Sequence, residues 1–495
     1  MPPAEKYNFF YTGGILFMEF DLSKPQCFYF KQIADIPRGS RNEKAVSDYI
    51  VEFAIQHGLE WKQDEVFNVM VFKPASTGYE EAPAVMLQAH LDVVCEKNKD
   101  VVHDFTKDPV DLYVDEEGFL RARGTTLGCD DGYGCAYMLA ILADDTLPHP
   151  ALQCIFTTME EIGLIGASHL KKEDLRGKRL INLDGGGETS TTVSSSGGAR
   201  TVIRRNIEWE ENDLPAYHLE IRGLSGGHSG GCIHMERGNA VLLAARILME
   251  TKMEGLDIRL CDIEGGMKFN AIPREADISF VSSSSDEDLM EAITERVSCI
   301  AKELEGSDDG FSARFSRIEK KQNRMTKECS DSILSYLFLM PNGFQHRSMQ
   351  IEGLTVSSLN AGTVSVNDGC FVIEDLIRSA IPSHTDVLIE QLKLLASFCG
   401  MTVEVHDRYM GWAYKADSEM RAILKDVLKD NGMELKEEAT HGGLECGIFA
   451  GLDPQLDIIT FGPVSSGAHT PEEKMDLSSF DRVYEMLKEL LKRCR

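Results

Sequence analysis

The sequence has no CxxC pair, no long apolar run and few basic residues for its length. Its 13 cysteines stand singly, which argues against a zinc ribbon and against a disulfide framework. Lys and Arg total 51 against 80 Asp and Glu, and a net charge of −29 disfavours surfaces for nucleic acid or anionic lipid. No segment reaches the roughly 20 apolar residues of a membrane span, and the N-terminus lacks a basic signal region. We therefore expect a cytoplasmic protein without nucleic-acid or membrane partners.

The composition is otherwise typical of a large folded chain. Its 495 residues are 43% hydrophobic and 26% charged, close to the average of globular proteins. This length predicts two or more domains. Residues 1–17 differ in character from the rest of the chain, so translation begins at either Met1 or Met18.

Hydrophobic periodicity in the first 200 residues predicts alternating helices and short, apolar strands. The predicted elements are a helix at 43–57, strands at 68–72 and 84–88, a helix at 132–144, a strand at 152–158, and a strand that runs into a glycine-rich turn at 180–187. This alternation predicts the α/β class, with helices flanking a mostly parallel sheet. Such sheets bind their ligands at the carboxyl ends of the strands.

The Ser- and Gly-rich stretch 194–200 indicates a domain boundary. We predict a first part of a catalytic domain at 1–197, an inserted α+β lid domain at 198–406, and a second part of the catalytic domain at 407–495. The length of the insertion suits either one α/β domain or two half-repeats. In this arrangement the last segment returns to complete the first sheet.

Acidic residues and a histidine follow the predicted strands. His90 and Asp92 come after the strand at 84–88, where the carboxylate of Asp92 could fix the tautomer of a metal-binding imidazole. Asp130 and Asp131 lie in a glycine-rich loop before a helix. Taken alone, the first pair also fits a structural histidine and the second pair a helix cap.

Two further acidic sites follow the next strands along the chain. Glu160 and Glu161 end one apolar strand, and Asp184 ends another. Adjacent carboxylates repel each other unless a proton or a cation lies between them, although a solvated pair is the simpler alternative. Because acids or histidine recur at successive sites, a hydrolytic metal centre is the economical interpretation. Oxygen and imidazole donors without cysteine suit zinc, with manganese or cobalt able to substitute, and the carboxylates suffice for two ions.

Several motifs carry a resemblance that spans nearly the whole chain. The motifs are HLDVV, ARGTTLGCDDG, TMEEIGLIGA, the strand-end Asp184, RGLSGGHSGGCIHMERGNA, NAIPREA and AHTPEEK. Together they closely resemble the bacterial aminoacyl-histidine (Xaa-His) dipeptidases, members of the di-zinc superfamily of aminoacylases, carnosinases and glutamate carboxypeptidases. The resemblance implies a di-zinc exopeptidase catalytic domain that hydrolyses the peptide bond of dipeptides, Xaa-His types among them.

The resemblance also implies a ligand set for two zinc ions. His90 and Asp184 would be the terminal ligands of one ion, and Glu161 and His469 those of the other. Asp130 would bridge the two. Because His469 lies far along the chain from Asp184, this set supports the return of the chain to the first sheet.

Catalytic roles follow from the resemblance in the same way. Glu160 would be the general base that takes a proton from the attacking water, and Asp92 would orient His90. His228, within GLSGGHSGG, would stabilise the oxyanion, although it also fits a structural loop histidine. Because the predicted lid is long, we expect His228 to act within its own chain, in a monomer or a homodimer.

Three residues are candidates for binding substrate. Asn270 is implied to touch the substrate, and Arg378 suits a bidentate pair with the free carboxylate of a dipeptide. Glu445, in HGGLECGIF, would receive the free amine. Asn270 also fits a structural turn, and Arg378 also fits an ordinary ion pair.

The sequence departs from the pattern at one position that bears on the metals. Asp131 follows the bridging Asp130 where close relatives carry Asn, so a second carboxylate there would alter metal affinity. Two rival functions remain open: an aminoacylase, deacetylase or tripeptidase on the same scaffold, and a catalytically dead binding protein. The second is disfavoured because no proposed ligand is missing.

Overall fold

A computed structural model describes residues 20–495, so the expectations about residues 1–17 and Met18 lie outside the described residues. The described chain divides into two compact units. Unit 1 comprises residues 20–191, 418–436 and 456–495, and unit 2 comprises residues 192–417 and 437–455.

This division differs from the predicted one at the first boundary, because unit 2 begins at residue 192 rather than 198, and in the third segment. Residues 407–417 and 437–455 belong to unit 2, whereas the sequence-based prediction assigns all of 407–495 to the catalytic domain. Hydrogen bonds give the reason for the second stretch: the Ser196 N–H donates to the Gly442 carbonyl (2.9 Å), and its hydroxyl donates to the His441 carbonyl (2.8 Å). Local sequence patterns carry no signal for such long-range contacts.

The secondary structure alternates along most of the chain. The α-helices are α1 (Pro25–Ala34), α2 (Lys44–Gln56), α3 (Cys129–Ala143), α4 (Ile165–His169), α5 (Ala240–Met253), α6 (Asp286–Glu303), α7 (Lys327–Leu339), α8 (Pro382–Phe398), α9 (Glu419–Asp430), α10 (Glu445–Leu452) and α11 (Leu477–Arg493). The strands are β1 (Glu60–Gln63), β2 (Val69–Lys73), β3 (Val85–His90), β4 (Leu112–Val114), β5 (Phe119–Ala122), β6 (Leu152–Thr157), β7 (Arg179–Asn182), β8 (Ser190–Ser195), β9 (Gly197–Asn206), β10 (Trp209–Glu211), β11 (Ala216–Arg222), β12 (Gly227–His228), β13 (Arg259–Gly265), β14 (Ala271–Ile272), β15 (Ala276–Val281), β16 (Ser312–Ile318), β17 (Asn323–Met325), β18 (Gly343–Arg347), β19 (Thr355–Asn367), β20 (Cys370–Ser379), β21 (Thr402–Tyr409), β22 (Lys436–Thr440), β23 (Asp457–Thr460), β24 (Ser465–Ser466) and β25 (Lys474–Asp476).

Unit 1 is built on a mostly parallel sheet with the strand order β1-β2-β6-β3-β7-β23. The four neighbouring strands β6, β3, β7 and β23 run parallel to one another. At one edge of the sheet β2 pairs antiparallel with β6, and β1 pairs antiparallel with β2. Every residue of β3, β6 and β7 is buried, which explains why most of their residues are apolar. The α/β expectation of helices flanking a mostly parallel sheet is confirmed, and β23 joins the sheet only after the chain has passed through unit 2.

The parallel strands bring several of the polar residues to one edge of the sheet. His90 is the last residue of β3, Glu160 and Glu161 follow β6, and Asp184 follows β7. Asp130 arrives differently, because it lies in the first turn of α3, which begins at Cys129 rather than at the predicted residue 132.

A second, four-stranded sheet in unit 1 has the order β24-β25-β5-β4. Its β25 pairs with β5, with Lys474 opposite Arg121 and Asp476 opposite Phe119. This pairing holds the segment that carries His469 beside the chain that leads into the Asp130 loop.

Unit 2 contains a large antiparallel sheet with the order β16-β11-β15-β13-β19-β20-β9-β21, with β18 added on β19. In each half of this sheet the strands and helices follow the β-α-β-β-α-β pattern. One half is β11, α5, β13, β15, α6 and β16, and it is inserted in the other, which is β9, α7, β19, β20, α8 and β21. Both halves have the same relative strand order.

Two absences hold for the part of the chain that the structure describes. Every cysteine there is free, so no disulfide crosslinks residues 20–495. None of the described helices combines the length and apolar character that crossing a membrane requires.

Candidate active site

Asp130 is the centre of the polar cluster in unit 1. Its Oδ1 lies 3.0 Å from His90 Nε2, and its Oδ2 lies 3.4 Å from His469 Nε2. The same His469 nitrogen lies 2.9 Å from Glu161 Oε2. The two oxygens of one carboxylate thus face two histidines that are distant in the sequence.

The candidate ligands fall into two groups that share Asp130. Oxygen and nitrogen atoms of His90, Asp130 and Asp184 lie within 4.8 Å of one another, as do those of Asp130, Glu161 and His469. Each group matches one of the two ligand sets that the resemblance implies. A third group, His90 with Glu160 and Glu161, meets the same 4.8 Å limit and places the Glu160 carboxylate beside the cluster.

The cluster holds more negative charge than its burial allows without a cation or protons. Burial, and then the charges of Asp130 and Asp131, raise the pKa of Asp184 well above its usual range. Hydrogen bonds to Asp130 and Glu161 raise the pKa of His469 to about 10. Burial works against protonation of His90, but its contacts with Asp130 and Asp92 outweigh burial and raise its pKa.

The donor atoms suit divalent cations. Nδ1 of His90 lies 3.1 Å from the Asp92 carbonyl and can donate its hydrogen there, which turns the lone pair of Nε2 towards Asp130. Two acceptors at 3.0 Å repel each other unless a proton or a cation lies between them. In addition, the buried Oε1 of Glu161 has no hydrogen-bond partner among residues 20–495. Imidazole nitrogens and carboxylate oxygens in this arrangement fit a zinc-like centre.

The expected contact between the Asp92 carboxylate and His90 is long, and this carboxylate has other, shorter hydrogen bonds. Its carboxylate lies 3.6 Å from His90 Nδ1, farther than its own carbonyl oxygen at 3.1 Å. The carboxylate instead accepts the backbone N–H groups of Glu160 (2.9 Å) and Glu161 (3.2 Å) and the Ser40 hydroxyl (2.8 Å). Asp92 therefore fixes the backbone that carries both glutamates as well as contacting the imidazole.

Asp131 is not a member of the candidate ligand groups. It is buried, and its carboxylate accepts the N–H of His90 (3.3 Å) and the N–H of Gly134 (3.1 Å). The second carboxylate beside Asp130 thus joins the end of β3 to the start of α3. Its charge still reaches the cluster, because it helps to raise the pKa of Asp184.

Sequence reasoning missed two residues that contact this loop. The buried carboxylate of Glu473 accepts backbone N–H groups from the residues that lead to Asp130, and the buried guanidinium of Arg38 donates to the Gly128 carbonyl (2.6 Å). Glu473 lies in the AHTPEEK motif, four residues after His469. This position was the one sign in the sequence that Glu473 lies near the candidate site.

A second polar cluster lies within unit 2, around His228. Nδ1 of His228 accepts the N–H of Gly231 at 3.1 Å, and burial followed by the charge of Arg378 lowers the pKa of the ring. The neutral imidazole therefore carries its hydrogen on Nε2. Nε2 lies 3.3 Å from an Nη of Arg378, so two donors converge on the same space. That arrangement suits an oxygen acceptor from a ligand.

Arg378 is a buried cation with only neutral partners. Its side chain is 6% exposed and donates to the Ser229 hydroxyl (3.3 Å) and the Tyr409 hydroxyl (3.4 Å). Its third contact, with the His228 ring, is also with a neutral group, so the hydrogen bonds of Arg378 to residues 20–495 involve no carboxylate. A buried guanidinium without an acidic partner favours an anion from outside the chain.

The structure places the other candidates in unit 2 as well. Asn270 precedes β14, and its carbonyl accepts the Ser229 N–H (2.9 Å), so it adjoins the His228 cluster. Glu445 is buried at the first residue of α10. His441 is buried against the Ser358 hydroxyl (2.7 Å), and burial, followed by the charge of Arg378, lowers its pKa to about 3.

These features define a two-unit α/β protein with a candidate metal centre in unit 1, and comparisons with known proteins give its family. The family model for peptidase family M20/M25/M40 matches residues 86–493. The chain is 35% identical to the cytosol non-specific dipeptidase of Escherichia coli K12 over 469 residues, which cover 94% of this chain and 96% of that protein. The chain therefore belongs to peptidase family M20/M25/M40.

Solved structures agree with this assignment. The aminoacylhistidine dipeptidase of Vibrio alginolyticus is 32% identical, with a TM-score of 0.89 and coverage of 94% of this chain and 96% of that one. The aminopeptidase PepT of Bacillus cereus, 14% identical with a TM-score of 0.55 over 95% of this chain and 98% of that one, shares the fold. The resemblance to the aminoacyl-histidine dipeptidases is confirmed, as is the expectation of an enzyme that acts as a peptidase.

Proposed function

We propose that this chain is a dipeptidase that uses two divalent cations held in unit 1. The observation that carries the proposal is the position of Asp130, whose two carboxylate oxygens face the two histidines of two separate donor groups. A carboxylate in that position can hold two cations about 3.5–4 Å apart, the distance found in hydrolytic two-metal sites.

In this proposal His90 and Asp184 complete the donor set of one cation, and Glu161 and His469 that of the other. Their nitrogen and oxygen donors favour zinc, with manganese or cobalt able to substitute. When bound, the cations would supply Lewis acidity to the peptide carbonyl and to the attacking water.

Glu160 is the general base of the proposed reaction. It adjoins the donor groups while the second glutamate, Glu161, faces His469. Its backbone is held by the Asp92 carboxylate, which fixes the position from which the Glu160 carboxylate takes the proton of the attacking water and passes it to the leaving amine.

In unit 2, His228 and Arg378 suit the carboxyl half of a dipeptide. Arg378 pairs with the free carboxylate, and Nε2–H of His228 donates to the oxyanion that forms on the scissile carbonyl. The two donors lie 3.3 Å apart. In a dipeptide only one residue separates the scissile carbonyl from the free carboxylate. The short distance between the two donors therefore favours removal of a single C-terminal residue. Asn270 and Glu445 remain proposed contacts for the rest of the substrate.

The named relatives support the substrate class. One is called a cytosol non-specific dipeptidase and another an aminoacylhistidine dipeptidase. We infer that Xaa-His dipeptides are among the substrates and that the enzyme works in the cytoplasm. The related activities of an aminoacylase, deacetylase or tripeptidase are not favoured by these names.

A substrate panel tests the proposal. Metal-free protein is reloaded with zinc, manganese or cobalt and incubated with free dipeptides, N-acetylated amino acids and tripeptides, and the released amino acid is measured. We expect metal-dependent hydrolysis of dipeptides, with Glu160→Gln as the inactive control that keeps the ligand set. Faster hydrolysis of N-acetylated amino acids or of tripeptides would contradict the proposal.

A further inference from the structure

The loop that precedes Asp130 is held by a single buried carboxylate. Glu473 is 2% exposed, and its Oε2 accepts the N–H groups of Leu127 (2.7 Å) and Gly128 (2.9 Å). Its Oε1 accepts the N–H of Cys129 (2.9 Å) and, at 3.3 Å, that of Asp130 itself. Four consecutive backbone donors therefore converge on one side chain.

These donors have no helical partners of their own. They lie at the amino end of α3, where N–H groups lack carbonyls in the preceding turn. In addition, the backbone angles of Asp130 and Asp131 are not helical, so the helix does not dictate the direction of the Asp130 side chain. The buried carboxylate and the four donors satisfy each other.

Arg38 binds backbone carbonyl groups of the same loop and of the chain beside it. It is 5% exposed and donates to the carbonyls of Gly128 (2.6 Å) and Leu91 (2.7 Å). Leu91 directly follows His90, so the guanidinium joins the end of β3 to the Asp130 loop. The loop leaves little room for change: Gly128 has φ +68°, and an added Cβ would come within 2.8 Å of Val93.

We propose that Glu473, supported by Arg38, is a positioning residue that sets the bridging carboxylate of Asp130 relative to His469. Glu473 follows His469 by four residues, so the segment that supplies one candidate ligand also fixes the backbone of another. One buried carboxylate thus holds ligands of both cations in position before the cations bind. The inference rests on the proposed two-cation function.

The test compares Glu473→Gln with Glu472→Gln. Glutamine keeps the shape of Glu473 but turns an N–H₂ group towards backbone donors, whereas Glu472, next along the chain, has a side chain that is 82% exposed. Metal affinity is measured by chelator competition on the metal-free proteins, the coordination geometry by the absorption spectrum of the cobalt-loaded forms, and kcat and KM on a dipeptide.

We expect Glu473→Gln to bind at least one cation about 10–100-fold more weakly, the usual effect of losing a group that orients a metal ligand. Its cobalt spectrum should shift, and at saturating metal kcat should fall while KM changes little, because the substrate contacts are elsewhere. Glu472→Gln should match the wild type in every measurement.

Wild-type affinity, spectrum and kcat in a folded Glu473→Gln would overturn the proposal. If that variant does not fold, Glu473→Asp replaces it, since the shorter side chain keeps the charge but reaches fewer donors; failure of both to fold would assign Glu473 to the stability of unit 1 instead. If the wild type binds two cations but cleaves no dipeptide, the proposed function fails, whereas the comparison of affinities still decides the role of Glu473.

Discussion

Replacing Arg378 by Met should weaken the interaction with substrate without lowering the stability of the protein. Arg378 is a 6% exposed cation whose hydrogen bonds go to neutral groups such as the hydroxyls of Ser229 and Tyr409. Methionine removes the charge and fills similar space. The folded protein no longer buries a cation without an acidic partner, so the variant should be as stable as the wild type or more stable.

The cost to activity follows from the lost contacts with a substrate carboxylate. A hydrogen bond to a charged group contributes about 1.5–3 kcal/mol, so two contacts of a bidentate pair contribute about 3–6 kcal/mol. At about 1.4 kcal/mol for each factor of ten, kcat/KM should fall by about 10²–10⁴-fold.

The assay compares a dipeptide with the same dipeptide amidated at its C-terminus. The wild type should strongly prefer the free acid, and Arg378→Met should lose that preference mainly by cleaving the free acid more slowly. Arg200→Met is the matched control, because Arg200 is paired with Glu374 (3.2 Å) and Asp407 (2.9 Å) within unit 2. An equal loss on both substrates, or a lower melting temperature with the preference intact, would refute this reasoning.

Three further predictions concern the base, the lid and a buried acid. Glu160→Ala should keep its metal content and lower kcat by about 10²–10⁴-fold, and loss of metal would mean that Glu160 is a ligand. Mixing His228→Ala with Glu160→Ala under conditions that exchange subunits should restore no activity if His228 acts within its own chain, whereas recovery of activity would show that it acts across subunits. Burial, and the nearby charge of Glu374, raise the pKa of Asp375, so the unfolded chain ionises at a lower pH than the folded protein, and stability falls as pH rises above the unfolded value. Asp375→Asn should therefore gain stability over the wild type as the pH rises above the usual pKa range of an aspartate, by at most about 1.4 kcal/mol per pH unit in urea unfolding, while the exposed Glu390→Gln shows no such trend. A pH-independent difference would contradict the assignment.

The sequence was sufficient to predict the local elements. It was also sufficient to predict which edge of the sheet bears the polar residues. The helix predicted at 43–57 is α2, and the strand predicted at 152–158 is β6. Apolar runs of strand length followed by His90 or by the Glu160–Glu161 pair were sufficient, because parallel strands end at one edge of a sheet.

Contacts between distant segments were not accessible in this way. The Glu473 carboxylate accepts the Cys129 N–H, although the two residues are far apart in the sequence. The Ser196 N–H donates to the Gly442 carbonyl, and residues 437–455 belong to unit 2 for this reason. Hydrophobic periodicity reports only which face of an element is buried, not which distant carboxylate its backbone meets. The contact of the Asp131 carboxylate with the His90 N–H also joins distant residues and was not accessible from local patterns.

Anomalous diffraction from crystals of the zinc-loaded protein tests the central claim most directly. The account predicts two zinc peaks about 3.5–4 Å apart, each about 2.0–2.2 Å from a different oxygen of Asp130. One peak should also contact His90 and Asp184, and the other Glu161 and His469. A single ion, or two ions that Asp130 does not bridge, would contradict it.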